Sequence, residues 1–165
     1  MPETAEEAQK RPEGERAGAG EAKLLTVASS PHLLSGEDVP QLMYGVALAL
    51  LPALAAAVFL FGWGVLGLVA AVTGASLVAE AAFQRARGRA VTISDGSALV
   101  TGLLLALTLP PRLPIWMGVV GGVFAIVFGK QIYGGLGSNP FNPALVGRVF
   151  LMVAFPVAMT TWTAP

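Results

Sequence analysis

Twenty consecutive residues without a charge, Leu42 to Phe61, constrain this chain more than any other feature. A helix of that length rises ~1.5 Å per residue and crosses the ~30 Å hydrocarbon core of a bilayer. Pro52 stands in the middle of the run and predicts a kink, which a membrane helix tolerates when neighbours re-satisfy the freed carbonyl. After a tight turn at Phe61-Gly62-Trp63-Gly64, a second apolar run continues to Phe83, broken only by Glu80. The two runs form a helical hairpin. Composition agrees: 55% of residues are hydrophobic and 12% charged, and twelve of the twenty charges fall in the first forty residues. The remainder is therefore more apolar than the average, and a soluble domain of this size could not hide it in one core.

Arg85, Arg87 and Arg89 follow the second run at once. A short Arg-dense loop marks the cytoplasmic side and places the amino terminus there as well. The third run, 97–109, meets Pro110 and Pro111 before it is long enough to cross, so a half-helix is expected. The fourth, 115–133, is full length; it contains a Gly118/Gly122 pair of the small-xxx-small type and has Lys130 near its end. The fifth, 144–159, carries Arg148 near its start and Pro156 near its end. Five crossings put the Arg loop and Lys130 inside, Arg112 outside, and let residues 161–165 emerge on the outer face. Ahead of the spans, 1–23 is rich in Glu, Ala, Gly and Arg without apolar periodicity and reads as a disordered cytoplasmic tail. It has no signal-peptide pattern. Residues 24–40 read as an interfacial segment, and its lone His32 has no acidic or histidine cluster beside it, so a solvated or interfacial role is expected. The whole is an all-α, polytopic integral membrane bundle with broken or half helices, its transmembrane domain over 41–165 (spans 42–61, 63–83, 97–109, 115–133 and 144–159) being incomplete.

The scattered basic residues leave no footprint for nucleic acid. With no Cys, thiolate catalysis, Fe–S clusters and Cys-ligated zinc are excluded within this stretch, so redox chemistry here needs a bound organic cofactor. The most informative string is GKQIYGGLGSNPFNPALVGR, Gly129 to Arg148, with five glycines and two prolines around two asparagines. Such non-helical backbone near membrane depth survives only when buried in protein or lining a polar cavity. Its Asn-Pro-x-Asn-Pro run supplies amides suited to the carbonyl and imide edges of a planar ring, or simply helix caps. Gly129-Lys130 is not a P-loop, because Phe124 and Gln131 stand where Gly and Ser/Thr are required. Gly135-x-Gly137 follows a helix, not a strand, and is no dinucleotide fingerprint. Ser94-Asp95-Gly96-Ser97 reads as an N-cap for the third run. Glu80 is an ionisable group near a membrane boundary, with a functional role or a simple ion pair to Arg85 or Arg87 as the two readings. No side chain stands out as a nucleophile or general base.

SDGSALVTGLLLALTLPP (Ser94 to Pro111), the Gly129–Arg148 string and FPVAMTTW (Phe155 to Trp162) resemble the D subunits of Rnf complexes and their relative NqrB, the RnfD/NqrB family, over roughly residues 25 to 165. The resemblance implies membrane electron transfer through flavins coupled to Na⁺ or H⁺ movement, with ferredoxin and NAD as the redox couple of an Rnf complex. It implies a noncovalent riboflavin near the cytoplasmic side, for which Asn139 and Asn142 are the candidate contacts, and an FMN linked through its phosphate to a Thr beyond Pro165. Other Rnf-type membrane and redox subunits are the implied partners and the bacterial cytoplasmic (inner) membrane the implied location. Thr73-Gly74-Ala75-Ser76 imitates the family's FMN-attachment string, but it sits mid-run, where small residues for helix packing are the better account. From the residues alone, a channel or secondary-transporter half with a polar site at the Asn-Pro loop, or a structural membrane scaffold for redox partners, are the competing classes.

Overall fold

The computed structural model describes residues 38–162. The tail 1–23, His32 and all but the last three residues of the 24–40 segment lie outside the described residues. Among those described the secondary structure is helical throughout, with no strand. The first run forms α1 (Val39–Ala49) and α2 (Leu51–Phe61), divided at Leu50 with Pro52 in the first turn of α2. The division follows from proline, which has no N–H to donate back up the helix. Gly62 ends α2 at φ +85°, a conformation that favours glycine, and α3 (Gly64–Ala86) returns antiparallel. No residue of α1 or α2 is fully buried. By contrast α3 buries Val65, Leu68, Val69, Val72, Ser76, Glu80 and Gln84, spacings of three and four that lay one stripe along a helix.

A 3₁₀ turn, Ile93–Asp95, leads into α4 (Ser97–Leu107), whose eleven residues span only ~16 Å. This is the half-helix that the prolines at 110 and 111 foreshadow, and beyond it Leu109, Pro110 and Leu113 are buried while Arg112 is exposed. Helix α5 (Ile115–Ile126) runs straight into a π-helical turn, Val127–Gln131. The fifth run is not one helix. It divides into α6 (Pro143–Ala154) and α7 (Pro156–Thr160) at Phe155, which takes φ −134° and ψ 58°. Pro156 is the cause: its ring disfavours helical backbone at the preceding residue, and it cannot donate to the carbonyl one turn back.

Glycines set how closely these helices meet. A Cβ added at Gly102 of α4 would stand 2.6 Å from the Thr73 Cα of α3, and one at Gly118 of α5 would stand 2.7 Å from Val72. At Gly122 it would crowd the Val72 carbonyl and the Ser76 hydroxyl, both at 3.0 Å, and at Gly147 of α6 it would meet the Gly121 carbonyl at 2.8 Å. Small residues let backbones approach where lipid offers no hydrophobic drive toward association. Thr73 and Ser76 thus belong to helix contacts mid-way along α3, and the Ser76 hydroxyl donates to the Val72 carbonyl at 2.9 Å. Around these contacts Leu68, Val72, Leu105, Leu109, Ala125 and Leu151 make the core.

The alternation brings the start of α1, the end of α3, the start of α4, the π turn and the start of α6 to one end. That end is tied by Tyr44 Oη donating to the Ser94 carbonyl at 3.4 Å and by Arg89 Nη1 donating to the Gly134 carbonyl at 3.2 Å. It carries the Arg-dense loop. Gly102→Ala is expected to destabilise the protein by about 1–3 kcal/mol, because α3 and α4 must part to admit the methyl group. Gly67→Ala, where a Cβ meets nothing within 4 Å, is expected to leave thermal unfolding in detergent unchanged or slightly raised. Equal melting of the two variants would show that the α3–α4 approach is not held as tightly as described.

Candidate functional site

At the Arg-rich end, the end of α3, the loop at Thr92, the start of α4 and the π turn meet in one hydrogen-bonded cluster around Glu80. Glu80, near the end of α3, and Lys130, in the π turn, are 0% and 2% exposed. Lys130 Nζ donates to Glu80 Oε1 at 2.5 Å and also to Ser97 Oγ at the start of α4. Gln131 Nε2 donates to the same Glu80 oxygen at 2.9 Å, and Gln84 Nε2 reaches it at 3.3 Å. Gln84 is itself locked to the chain entering the 3₁₀ turn, donating to Thr92 Oγ1 and accepting from Thr92 N, both at 2.9 Å. Burying a charge is costly unless it is paired and hydrogen-bonded, and Glu80 Oε1 meets both conditions. Glu80 Oε2, equally buried, has no protein partner among the described residues.

The π turn explains how two successive residues reach one acceptor. Ile132 N donates to the Val127 carbonyl at 3.0 Å, one residue farther back than in an α-helix. Gly129 lets this widened turn lie against α6, where a Cβ would come within 2.8 Å of Pro143 Cα. On the other side of the ammonium, Ser97 Oγ donates to Asp95 Oδ1 at 2.6 Å and Ser97 N donates to the same oxygen at 2.9 Å. Asp95 therefore receives the first amide of α4, as the Ser94–Ser97 string leads one to expect, and at the same time closes a chain Glu80, Lys130, Ser97, Asp95. A cleft of about 420 Å³ opens beside it, lined by Glu80, Gln84, Thr92, Asp95 and Gln131, with Arg89 at its exposed rim.

The simple ion pair with Arg85 or Arg87, one of the two readings of Glu80, is not made; its partner is Lys130. Both arginines are exposed, and the Arg87 guanidinium lies over the Phe83 ring, 5.3 Å from its centroid. Five residues on, Arg85 projects from a different helix face, and Arg87 is two turns away. Sequence reasoning treats Lys130 as a boundary marker and so misses it as the partner. The signal available is that each of two long apolar runs carries a single opposite charge near the same membrane face.

Asn139 and Asn142 lie close together in the loop after the π turn but do different work. Asn139 is half-buried, and its Nδ2 donates to the Phe141 carbonyl at 2.8 Å. Asn142 is exposed and caps α6, its Oδ1 accepting from Ala144 N at 3.0 Å. Asn142 also borders an apolar groove of about 510 Å³ whose other walls include Phe124, Phe141, Val149 and Phe150, whereas Asn139 does not line it. Phe124 stacks on Phe150 at 3.9 Å and on Phe128 at 4.4 Å between centroids. The groove thus offers flat apolar walls with a single polar group, Asn142, at its border.

Comparison with known proteins places these features in context. A family model described as the NQR2, RnfD, RnfE family matches residues 26–165. The D subunit of the ion-translocating oxidoreductase complex from Escherichia coli O1:K1 / APEC is 47% identical over 144 residues, covering 86% of this chain and 41% of the relative. The same figures hold for the corresponding D subunits of Escherichia coli (strain K12 / DH10B) and Shigella boydii serotype 18. The chain thus spans about two fifths of the length of the curated relatives it matches.

Removing one member of the buried pair should cost far more than removing both. Lys130→Met is expected to destabilise by about 3–5 kcal/mol, since it strands the Glu80 charge, while Glu80→Gln/Lys130→Met recovers most of that loss. Denaturant unfolding of the four members of the cycle measures the coupling, and additive losses would mean that the two groups act independently.

Proposed function

This chain belongs to the NQR2, RnfD, RnfE family, and from that premise we propose that it serves as a membrane subunit of an ion-translocating oxidoreductase complex of the Rnf type. In this reading it carries electrons through flavins between ferredoxin and NAD partners and couples their passage to Na⁺ or H⁺ movement. The observation that carries the coupling half is the Glu80–Lys130 pair. An ionisable pair fully enclosed in a helical membrane bundle is expensive to maintain and marks an ion pathway by default. One Glu80 oxygen is saturated by three donors, while the other is buried without a partner in a residue that lines a cleft. Oε2 is the atom at which an entering cation would be held. The Arg-dense loop at this end supports entry from the cytoplasm, with the amino terminus on the same side of a bacterial inner membrane.

For the electron-carrying half, the apolar groove beside α6 suits the ring of a noncovalent riboflavin. Phe141, Phe124 and Phe150 supply flat apolar walls, and Asn142 has its Nδ2 free to donate to a ring carbonyl while Oδ1 caps the helix. Asn139 acts one step removed, holding the Phe141 carbonyl and thereby the turn that presents Asn142. When bound, flavins supply the one- and two-electron chemistry for which this chain has no side chain of its own. The FMN-bearing Thr is assigned to the portion of the relatives' length that this chain does not cover, and other membrane and redox subunits complete the path.

Two outcomes follow in the full-length protein within its complex. Glu80→Gln keeps the size and hydrogen bonding of the side chain but removes its charge, and ion movement per electron into vesicles should fall by roughly tenfold or more. Undiminished transport would sink the coupling reading. Asn142→Asp retains the capping oxygen and deletes the amide donor; riboflavin should bind roughly tenfold more weakly while helicity is preserved, the loss expected for an unmet buried hydrogen bond. Wild-type flavin content in that variant would remove Asn142 from the site.

A further inference from the structure

We propose that Lys130 is the internal counter-cation that makes the cleft between Glu80 and Asp95 a site for one monovalent cation and closes it to divalent ones. This rests on the ion-coupling reading of Glu80 and adds what selects the ion. Three charged groups are joined through the bonds around the site: the carboxylates of Glu80 and Asp95 and the ammonium of Lys130, with Ser97 Oγ linking the ammonium to Asp95. Their sum is one negative charge. In surroundings of low polarisability a site is most stable when its contents bring it to neutrality, so one positive charge completes this one and two overshoot.

The placement of the three groups sharpens the point. Both carboxylates line the cleft, but Lys130 does not; it is enclosed by protein and bonded to Glu80 Oε1 and Ser97 Oγ, out of reach of water. Glu80 thus turns its saturated oxygen to the lysine, while its other oxygen, Oε2, is buried without a protein partner in a residue that lines the cleft. The remaining nearby charge, Arg89, is exposed at the rim and bonded to the Gly134 carbonyl, where water screens it. Thr92 and Gln131 complete an oxygen- and amide-bearing wall. Oxygen donors with a single net negative charge suit a weakly held alkali ion or a proton, whereas calcium sites of this size rely on more carboxylate charge than is left here.

The test is to remove the lysine's charge and ask which cations the complex then binds. Equilibrium binding of radioactive Ca²⁺ and Na⁺ to the purified complex, each variant against wild type, reads the charge of the site without requiring transport. Lys130→Met leaves two carboxylates uncompensated and should gain one Ca²⁺ site at least ~100-fold tighter than any wild type shows at that position. Adding Asp95→Asn or Glu80→Gln to it should abolish that gain. A Lys130→Met complex that assembles and binds no additional Ca²⁺ overturns the proposal, as does a gained site that survives loss of Glu80's charge. Should Lys130→Met fail to assemble, Asp95→Asn alone decides. It brings the site to zero charge and should weaken Na⁺ binding, or the proton dependence of turnover if the proton is the ion, by roughly tenfold; no change in either overturns the proposal. Failure of Glu80→Gln to impair transport would remove the coupling reading while leaving these binding results to stand or fall separately.

Discussion

A carboxylate and an ammonium fifty residues apart in sequence, sealed together inside an apolar bundle, fix the arrangement of everything around them. Neither Glu80 nor Lys130 can sit alone in that environment, so α3 and the π turn must meet at one level. Ser97 and Asp95 then position the start of α4 against the same ammonium, and Gln84 with Thr92 fastens the intervening loop. The polar cluster does for this end of the bundle what a hydrophobic core does for a soluble domain, but with direction. Shifting any one segment by a turn would leave a charge without its partner.

The rest of the packing permits that register and does not set it. Glycines at 102, 118, 122, 129 and 147 bring backbones close enough for short side chains such as Ser97 to reach their partners. The π turn adds the residue that lets both Lys130 and Gln131 face Glu80. Half-helices α4 and α6 begin at this same end, so their first turns, Asp95 and Asn142 among the groups that satisfy them, stand beside the buried pair and beside the Phe-lined groove. The cleft at Glu80 and the Phe-lined groove thus each draw on the beginning of a short helix.

How much of this the residues announce depends on the range of the interaction concerned. The helical runs, the kink at Pro52, the short third helix and the cap at Asp95 are local consequences of hydrophobic length, proline chemistry and Asx bonding, and each is legible in a few adjacent letters. Pro156 is visible too, yet its consequence is larger than its position near the end of a run suggests: the fifth run breaks at Phe155 and does not merely bend. The pairing of Glu80 is not legible, because nearby arginines offer a closer explanation along the chain and because burial is a property of the folded bundle. The π turn leaves no trace in composition, since an extra residue in a helix is a matter of which carbonyl accepts and not of which residues are present. For the asparagines, spacing identifies the loop and the capping role of Asn142; it cannot tell that Asn139 turns back to its own loop.

The shortness of α4 also bears on how such a chain enters a membrane. A helix of eleven residues reaches about halfway through the hydrocarbon layer and would strand its ends in oil if released alone. The first hairpin, by contrast, consists of two runs each long and apolar enough to cross a membrane. In the fold α4 is covered first by α3, where Gly102 lies against Thr73, and then by α5 and α6. Helix length thus divides the described residues into a leading pair, each member able to cross on its own length, and a shorter set whose members depend on their neighbours for cover.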